Sequence, residues 1–313
     1  LGISSVAPTQ YSNAMLEPFC QRGGTTDIHK DGWGLAYYIN KDWNVINETN
    51  SAATSAYANE IIQSHNHLET TNLICHIRYA TIGDVSMSNV HPFKKNLFGS
   101  QFVFAHNGDV PMFDVQSTEN YGKDYRDIHK GSSTSDAKPS YSFQPIGETD
   151  SEHVFCTILN HLQSTFDTLP SLPELYFAIH EICTYIAEQH EGTILNFLLG
   201  IGEAIFAFSW PGSRKGSTTW NGLHYTLRND DCPSSPISDR DYSDESESGS
   251  DDDSVESFSS SLSSGSEVAV ITTKPLTNDS SWTEFKKGDL LLFVNGKVIS
   301  SENLCELDGY THQ

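Results

Sequence analysis

The sequence predicts an α+β layered domain, on three observations. Short apolar runs rich in β-branched and aromatic residues form one block before residue 107 and another from residue 195 onward. Two segments with helical spacing lie side by side between those blocks. Strands, then helices, then strands again suit segregated layers, whereas a wound parallel sheet needs the two to alternate. In chain order, GLAYYIN (34–40), NLICHIRYA (72–80) and QFVFAH (101–106) are read as strands. After Thr149, the residues Val154, Phe155, Ile158, Leu159 and Leu162 fall on one helical face. Thr149-Asp150-Ser151-Glu152 is a capping box that would start this helix. Leu175, Ile179, Ile182 and Ile186 repeat the spacing in a second helix. LNFLLG (195–200), AIFAFSW (204–210), VAVITT (268–273) and DLLLFVNGKVI (289–299) complete the strands, and no internal repeat is present.

Residues 1–313 are read as one domain, whose 37% hydrophobic and 11% aromatic content is enough for a full core. Residues 230–267 interrupt it with 12 acidic residues against one Arg, about half of the net charge of -23. That composition has too little apolar surface to offset chain entropy, so a disordered surface insert is expected. Its Ser-Asp-Glu-Ser run also suits acid-directed kinases. A second polar stretch, at about 114–145, is expected to loop out.

The acidic balance argues against nucleic-acid and anionic-membrane partners, and no run approaches the roughly 20 apolar residues of a membrane span. The six cysteines are scattered, without a C-x-x-C pair, and Cys75 and Cys156 sit inside apolar runs; a reducing, cytoplasmic location is expected. Gly200-Ile201-Gly202 and Gly212-Ser213-Arg214-Lys215-Gly216-Ser217 are incomplete as phosphate loops and read as turns. Neither a cofactor nor a metal is implied.

Four segments carry chemistry: Asp31-Gly32-Trp33-Gly34, His76-Ile77-Arg78-Tyr79-Ala80-Thr81, Ala105-His106-Asn107-Gly108 and Glu148-Thr149-Asp150-Ser151-Glu152. Each lies at the end of a regular element, where sites tend to be built. An α-amino acid would find a bidentate partner for its carboxylate in Arg78 and a fixed anion for its ammonium in Asp150. A carbonyl under attack would find oxyanion donors in the Asn107 amide and the Gly108 N–H. Blander readings stand beside these. Asp150 also suits a helix first turn, Asn107-Gly108 also suits a hairpin turn, and His76, His91 and His106 also suit structural roles.

HIRYAT, HPF, FAHNGD and GETDSE, together with QRGGTTDIHKDGWGLAYY, resemble the class II glutamine amidotransferases, in particular the stand-alone bacterial YafJ type. A fungal relative of that type is the amidotransferase-like subunit of a glutathione-degrading complex. The resemblance covers roughly residues 1–212 and 267–299. It implies the four-layer αββα sandwich of the N-terminal-nucleophile hydrolases. Arg78 with Thr81 would bind the glutamine α-carboxylate, Asp150 the α-amino group, and Asn107 and Gly108 would form the oxyanion hole. Trp33 and Gly34 would lie at the floor of the substrate site, with His76, His91 and His106 behind it. Ile82 departs from members with a synthase domain, which often place His after the Thr.

In this family the mature first residue is a cysteine, whose thiolate attacks the γ-amide while its own amino group shuttles the proton. By the resemblance that residue is expected about three positions ahead of Leu1, and none of the six cysteines present has a free α-amino group. Two expectations follow: an enzyme whose nucleophile precedes Leu1, or a non-catalytic relative that binds γ-glutamyl ligands or serves as an interaction subunit. The implied partners are glutamine or another γ-glutamyl small molecule, and a protein that accepts ammonia or completes a peptidase complex.

Overall fold

The computed structural model describes residues 1–10, 15–63, 68–113, 142–212, 220–228, 267–278 and 280–307. The acidic insert up to Ser266, residues 114–141 of the polar stretch, and Cys232 lie outside the described residues. In chain order the elements are β1 (Gly2–Gln10), α1 (Glu17–Gln21), β2 (Trp33–Ile39), β3 (Asp42–Glu48), α2 (Ala56–Gln63), β4 (Glu69–Ile77), β5 (Phe93–Leu97) and β6 (Ser100–Asp109). They continue with α3 (Asp150–Thr165), α4 (Leu172–Glu188), β7 (Ile194–Ile201), β8 (Ala204–Trp210), β9 (His224–Arg228), β10 (Val268–Thr272), β11 (Thr283–Glu284), β12 (Asp289–Val294) and β13 (Lys297–Ile299).

The strands form two antiparallel sheets, ordered β11-β9-β10-β1-β4-β2-β3 and β13-β12-β8-β7-β6-β5. Three apolar clusters stack them into layers. Val154, Phe155, Ile158 and Leu159 of α3 and Leu175, Ile179 and Ile182 of α4 pack on Phe104, Phe197, Phe206 and Phe208 of the second sheet. Phe19, Cys20, Ala58 and Ile62 of the short helices α1 and α2 cover Ile3, Trp33, Leu35, Leu73 and Cys75 of the first. Between the sheets, Ala36, Trp43, Ile74 and Ile271 meet Val103, Ala105, Leu198 and Phe293. The result is the four-layer αββα sandwich. The central strands are buried on both faces, which is why β7 and β10 read as near-continuous apolar runs although both sheets are antiparallel.

The start of α3 differs from the expected capping box. Thr149 Oγ1 accepts the Glu152 N–H at 3.4 Å, but the Glu152 carboxylate does not return to Thr149. Its Oε2 accepts the N–H groups of Ile146 (2.8 Å) and Gly147 (2.7 Å), and its Oε1 pairs with Lys95 Nζ at 2.8 Å. Glu152 is buried, so it ties the segment before α3 to β5 from inside the protein. Glu152→Ala removes the carboxylate from the partly buried Lys95, leaving it the Gln144 carbonyl at 3.5 Å, and strands two N–H groups, and is expected to cost about 3 kcal/mol. Denaturant unfolding that shows no shift in midpoint would remove this role.

Candidate active site

β4 and β6 belong to different sheets but end at the same end of the sandwich, where α3 begins. Arg78 follows β4, Asn107 and Gly108 close β6, and Asp150 is the first residue of α3. All four line one cleft of about 130 Å³, as do Thr81, His76, His91 and His106.

Arg78 is buried apart from 4% of its surface. Its Nη1 donates to the Asp84 carbonyl (3.2 Å) and its Nη2 to those of Ile82 (3.0 Å) and Gly83 (3.3 Å), so the guanidinium also organises the loop that follows it. Asp31 holds the main chain on either side. Its N–H donates to the Arg78 carbonyl at 2.9 Å, and its Oδ2 accepts the Ala80 N–H at 2.9 Å. Burial lowers the pKa of Arg78, and the Asp31 carboxylate opposes that shift. Asn89 ties the same loop to the start of α3, donating to the Asp84 carbonyl (3.0 Å) and accepting the Glu148 N–H (2.9 Å).

Asn107 and Gly108 pair with Asn196 and Leu195 of β7, so they are strand residues and not a hairpin turn. The Asn196 amide donates to the Asn107 carbonyl at 3.3 Å and to the Asn221 carbonyl at 2.8 Å. A Cβ on Gly108 would lie 1.8 Å from the Ile194 carbonyl oxygen, so only glycine fits there. Asp150 is buried, with Oδ2 accepting the Val110 N–H at 2.8 Å and Oδ1 3.2 Å from the Ser151 hydroxyl. Its place in the first turn of α3 also suits the helix dipole.

Two expected residues do not line the cleft. Strand alternation turns the Trp33 indole to the α1/α2 side, among Leu16, Cys20 and Leu35, where its Nε1 donates to Glu48 at 2.8 Å. Gly34 faces the other way, but a Cβ there would come 2.2 Å from the His91 carbonyl oxygen and 2.1 Å from Asn47 Oδ1. Gly34 therefore serves by letting the His91-Pro92 segment pack on the sheet, held by Asn47 Nδ2 through the carbonyls of Val90 and Pro92, both at 3.2 Å. Conversely, His29, Tyr79 and Ser151 line the cleft although the motifs that contain them give them no role of their own in the site. The signal for Ser151 is weak, because serine is common in first helical turns.

His91 and His106 are buried and His76 partly so, with the rings of His76 and His91 4.3 Å apart and His91 Nδ1 accepting the His106 N–H at 3.3 Å. Burial pushes all three below the ordinary imidazole range, His76 to about 3. In the unfolded chain these rings protonate near pH 6.5. Below that pH the unfolded state binds more protons than the folded state, so stability is present above about 6.5 and falls as the pH drops towards 3. The melting temperature is expected to fall from pH 7 to pH 5, with a shallower fall in His76→Gln. Identical slopes would show that His76 charges as easily folded as unfolded.

The model of the family described as class II glutamine amidotransferases matches residues 1–308. A Haemophilus influenzae protein named "Putative glutamine amidotransferase" is 33% identical over 300 residues, covering 96% of this chain and 85% of that protein. YafJ of Escherichia coli K12, which carries the same description, is 28% identical over 300 residues, covering 96% and 98%. Among solved structures, a Pseudomonas aeruginosa protein described as a predicted glutamine amidotransferase superposes with a TM-score of 0.59 at 24% identity, covering 96% of this chain and 98% of that one. At that identity the likeness is one of fold.

Proposed function

Because the chain belongs to the class II glutamine amidotransferases, we propose that it hydrolyses the γ-amide of glutamine, or a related γ-glutamyl bond, through a thioester on a cysteine joined ahead of Leu1. The observation that carries this reading is the cleft itself. It places a buried guanidinium, a buried carboxylate and an Asn-Gly donor pair around a space the size of one small molecule. The remaining N–H groups of Arg78, with Thr81, take the α-carboxylate. Asp150 takes the α-ammonium, and the Asn107 amide with the Gly108 N–H takes the oxyanion.

Strand register supports the position of the nucleophile. Leu1 and Cys75 exchange main-chain hydrogen bonds of 2.8 Å in both directions. A ladder continued in that register sets the preceding residue opposite His76 and the third preceding residue opposite Arg78, beside the cleft. The thiolate adds to the γ-carbonyl carbon, and the cysteine's own amine passes the thiol proton to the departing ammonia. Water then opens the thioester, releasing glutamate and restoring the thiol. The buried thiols are poor substitutes: burial raises Cys183 and pushes Cys156 up to about 12. The ammonia is released to solvent or passed to an acceptor on a partner protein.

Glutamate release from glutamine, glutathione and other γ-glutamyl compounds, assayed on the chain beginning with its cysteine, tests the reading. Release from none of them would overturn it and leave a γ-glutamyl-binding or interaction subunit. Arg78→Ala is expected to raise KM at least about tenfold, the scale of a hydrogen bond to a charged group. An unchanged KM would remove Arg78 from carboxylate binding.

A further inference from the structure

The Ser151 hydroxyl has one proton and two acceptors within reach, Asp150 Oδ1 at 3.2 Å and His106 Nδ1 at 2.9 Å. At the other side of the ring, His106 Nε2 lies 3.3 Å from the Ile194 carbonyl oxygen, which can only accept. A neutral imidazole has a single N–H to place. On Nδ1 it would leave the Nε2 lone pair facing the Ile194 oxygen. On Nε2 it satisfies Ile194, makes Nδ1 an acceptor and draws the Ser151 proton away from Asp150. Asp150 Oδ2 is occupied by the Val110 N–H at 2.8 Å in either case. Oδ1 is thus the oxygen whose availability depends on Ser151.

We propose that His106 is a positioning residue: as its Nε2–H tautomer it holds the Ser151 hydroxyl, which leaves Asp150 Oδ1 open to the substrate's α-ammonium. Protonation of His106 at Nδ1 turns the hydroxyl onto Oδ1 and weakens substrate binding. The inference rests on the reading of Asp150 as the ammonium partner. The groups facing the ring are Asp150 and Ser151 from α3, Asp109 on its own strand, His76 from β4, and His91 ahead of β5. The two carboxylates favour the imidazolium, but burial outweighs them and keeps the ring neutral except in acid.

The test measures KM and kcat against pH for the chain beginning with its cysteine. In the wild type, KM rises as His106 protonates while kcat moves less; in Ser151→Ala that rise in KM disappears, because no hydroxyl remains to close Oδ1. His106→Phe leaves Asp150 as the one side-chain acceptor for Ser151 among the described residues, and KM rises on the order of tenfold at every pH. Adding Ser151→Ala to His106→Phe brings KM back to within about twofold of Ser151→Ala alone, which a purely structural role for His106 would not do. Additive losses, or an acid rise in KM that survives Ser151→Ala, overturn the proposal. Asp150→Asn is the control. If it leaves KM unchanged, the reading of Asp150 has failed; if it raises KM and the other variants add, only the present inference has failed. Should His106→Phe not fold, imidazole ¹⁵N spectra of the wild type decide: a proton on Nε2 is expected, and one on Nδ1 at neutral pH overturns it.

Discussion

Asn107→Ala is expected to lower kcat for glutamate release by about 10²–10³-fold while KM changes little. The proposed oxyanion sits between the Asn107 amide and the Gly108 N–H, and these donors matter where negative charge develops, not in the bound substrate. An interaction made only in the transition state lowers kcat and kcat/KM together. Compensation by movement is blocked, because the Asn107 main chain is held in the β6–β7 ladder and by the Asn196 amide. The side chain faces the cleft and not the core, so the melting temperature should stay within a degree or two of wild type. A variant whose KM rises at full kcat would make Asn107 a ground-state binding residue, and one with unchanged kinetics would remove it from the site.

The parts of this fold that can be read from the sequence are those buried on both faces. β4, β6, β7, β8, β10 and β12 carry near-continuous apolar stretches because helices press on one side and the opposite sheet on the other. β3, β5 and β9 lie at or near sheet edges, and their sequences DWNVINE, FKKNL and HYTLR carry too much polar surface to form such a run. β1 is central yet equally hard to read, since its buried Ser4 and Ser5 satisfy their hydroxyls through tertiary contacts: Gly296 N–H reaches Ser4 at 3.3 Å, and Ser5 donates to the Thr71 carbonyl at 3.3 Å. The short layer of α1 and α2 leaves no long periodic signal. At the site, Arg78, Asn107, Gly108 and Asp150 share a cleft because element ends converge, which local motifs mark. Trp33 and Gly34 escape correct placement because one residue of strand alternation separates facing a helix from facing a sheet. The function of Asp31 depends on a hydrogen bond to Ala80, 49 residues away, and no local pattern announces it.

Gly108→Ala is expected to damage folding and chemistry together. An added Cβ would stand 1.8 Å from the Ile194 carbonyl oxygen, 2.6 Å from its carbon and 2.7 Å from His106 Nε2. Two of these are main-chain atoms, which cannot swing aside as the end of a flexible side chain can. β7 cannot easily retreat, since all its residues are buried and Leu195 and Phe197 are packed beneath the helices. The strain must therefore fall on the Gly108 peptide, whose N–H is the second proposed oxyanion donor. Overpacking of this kind costs about 3 kcal/mol, and a rotated donor loses catalysis comparable to its removal, on the order of 10²-fold or more in kcat. Gly99→Ala separates this effect from the general cost of replacing a glycine. Gly99 has a φ of +78°, and nothing lies within 4 Å of the point where its added methyl would stand. Only backbone strain of about 1 kcal/mol and no loss of kcat are expected there. Denaturant unfolding of both variants, paired with their kcat values, makes the comparison. If Gly108→Ala unfolds like Gly99→Ala and keeps full turnover, the Ile194 carbonyl does not constrain the end of β6, and the Gly108 N–H does not serve the oxyanion.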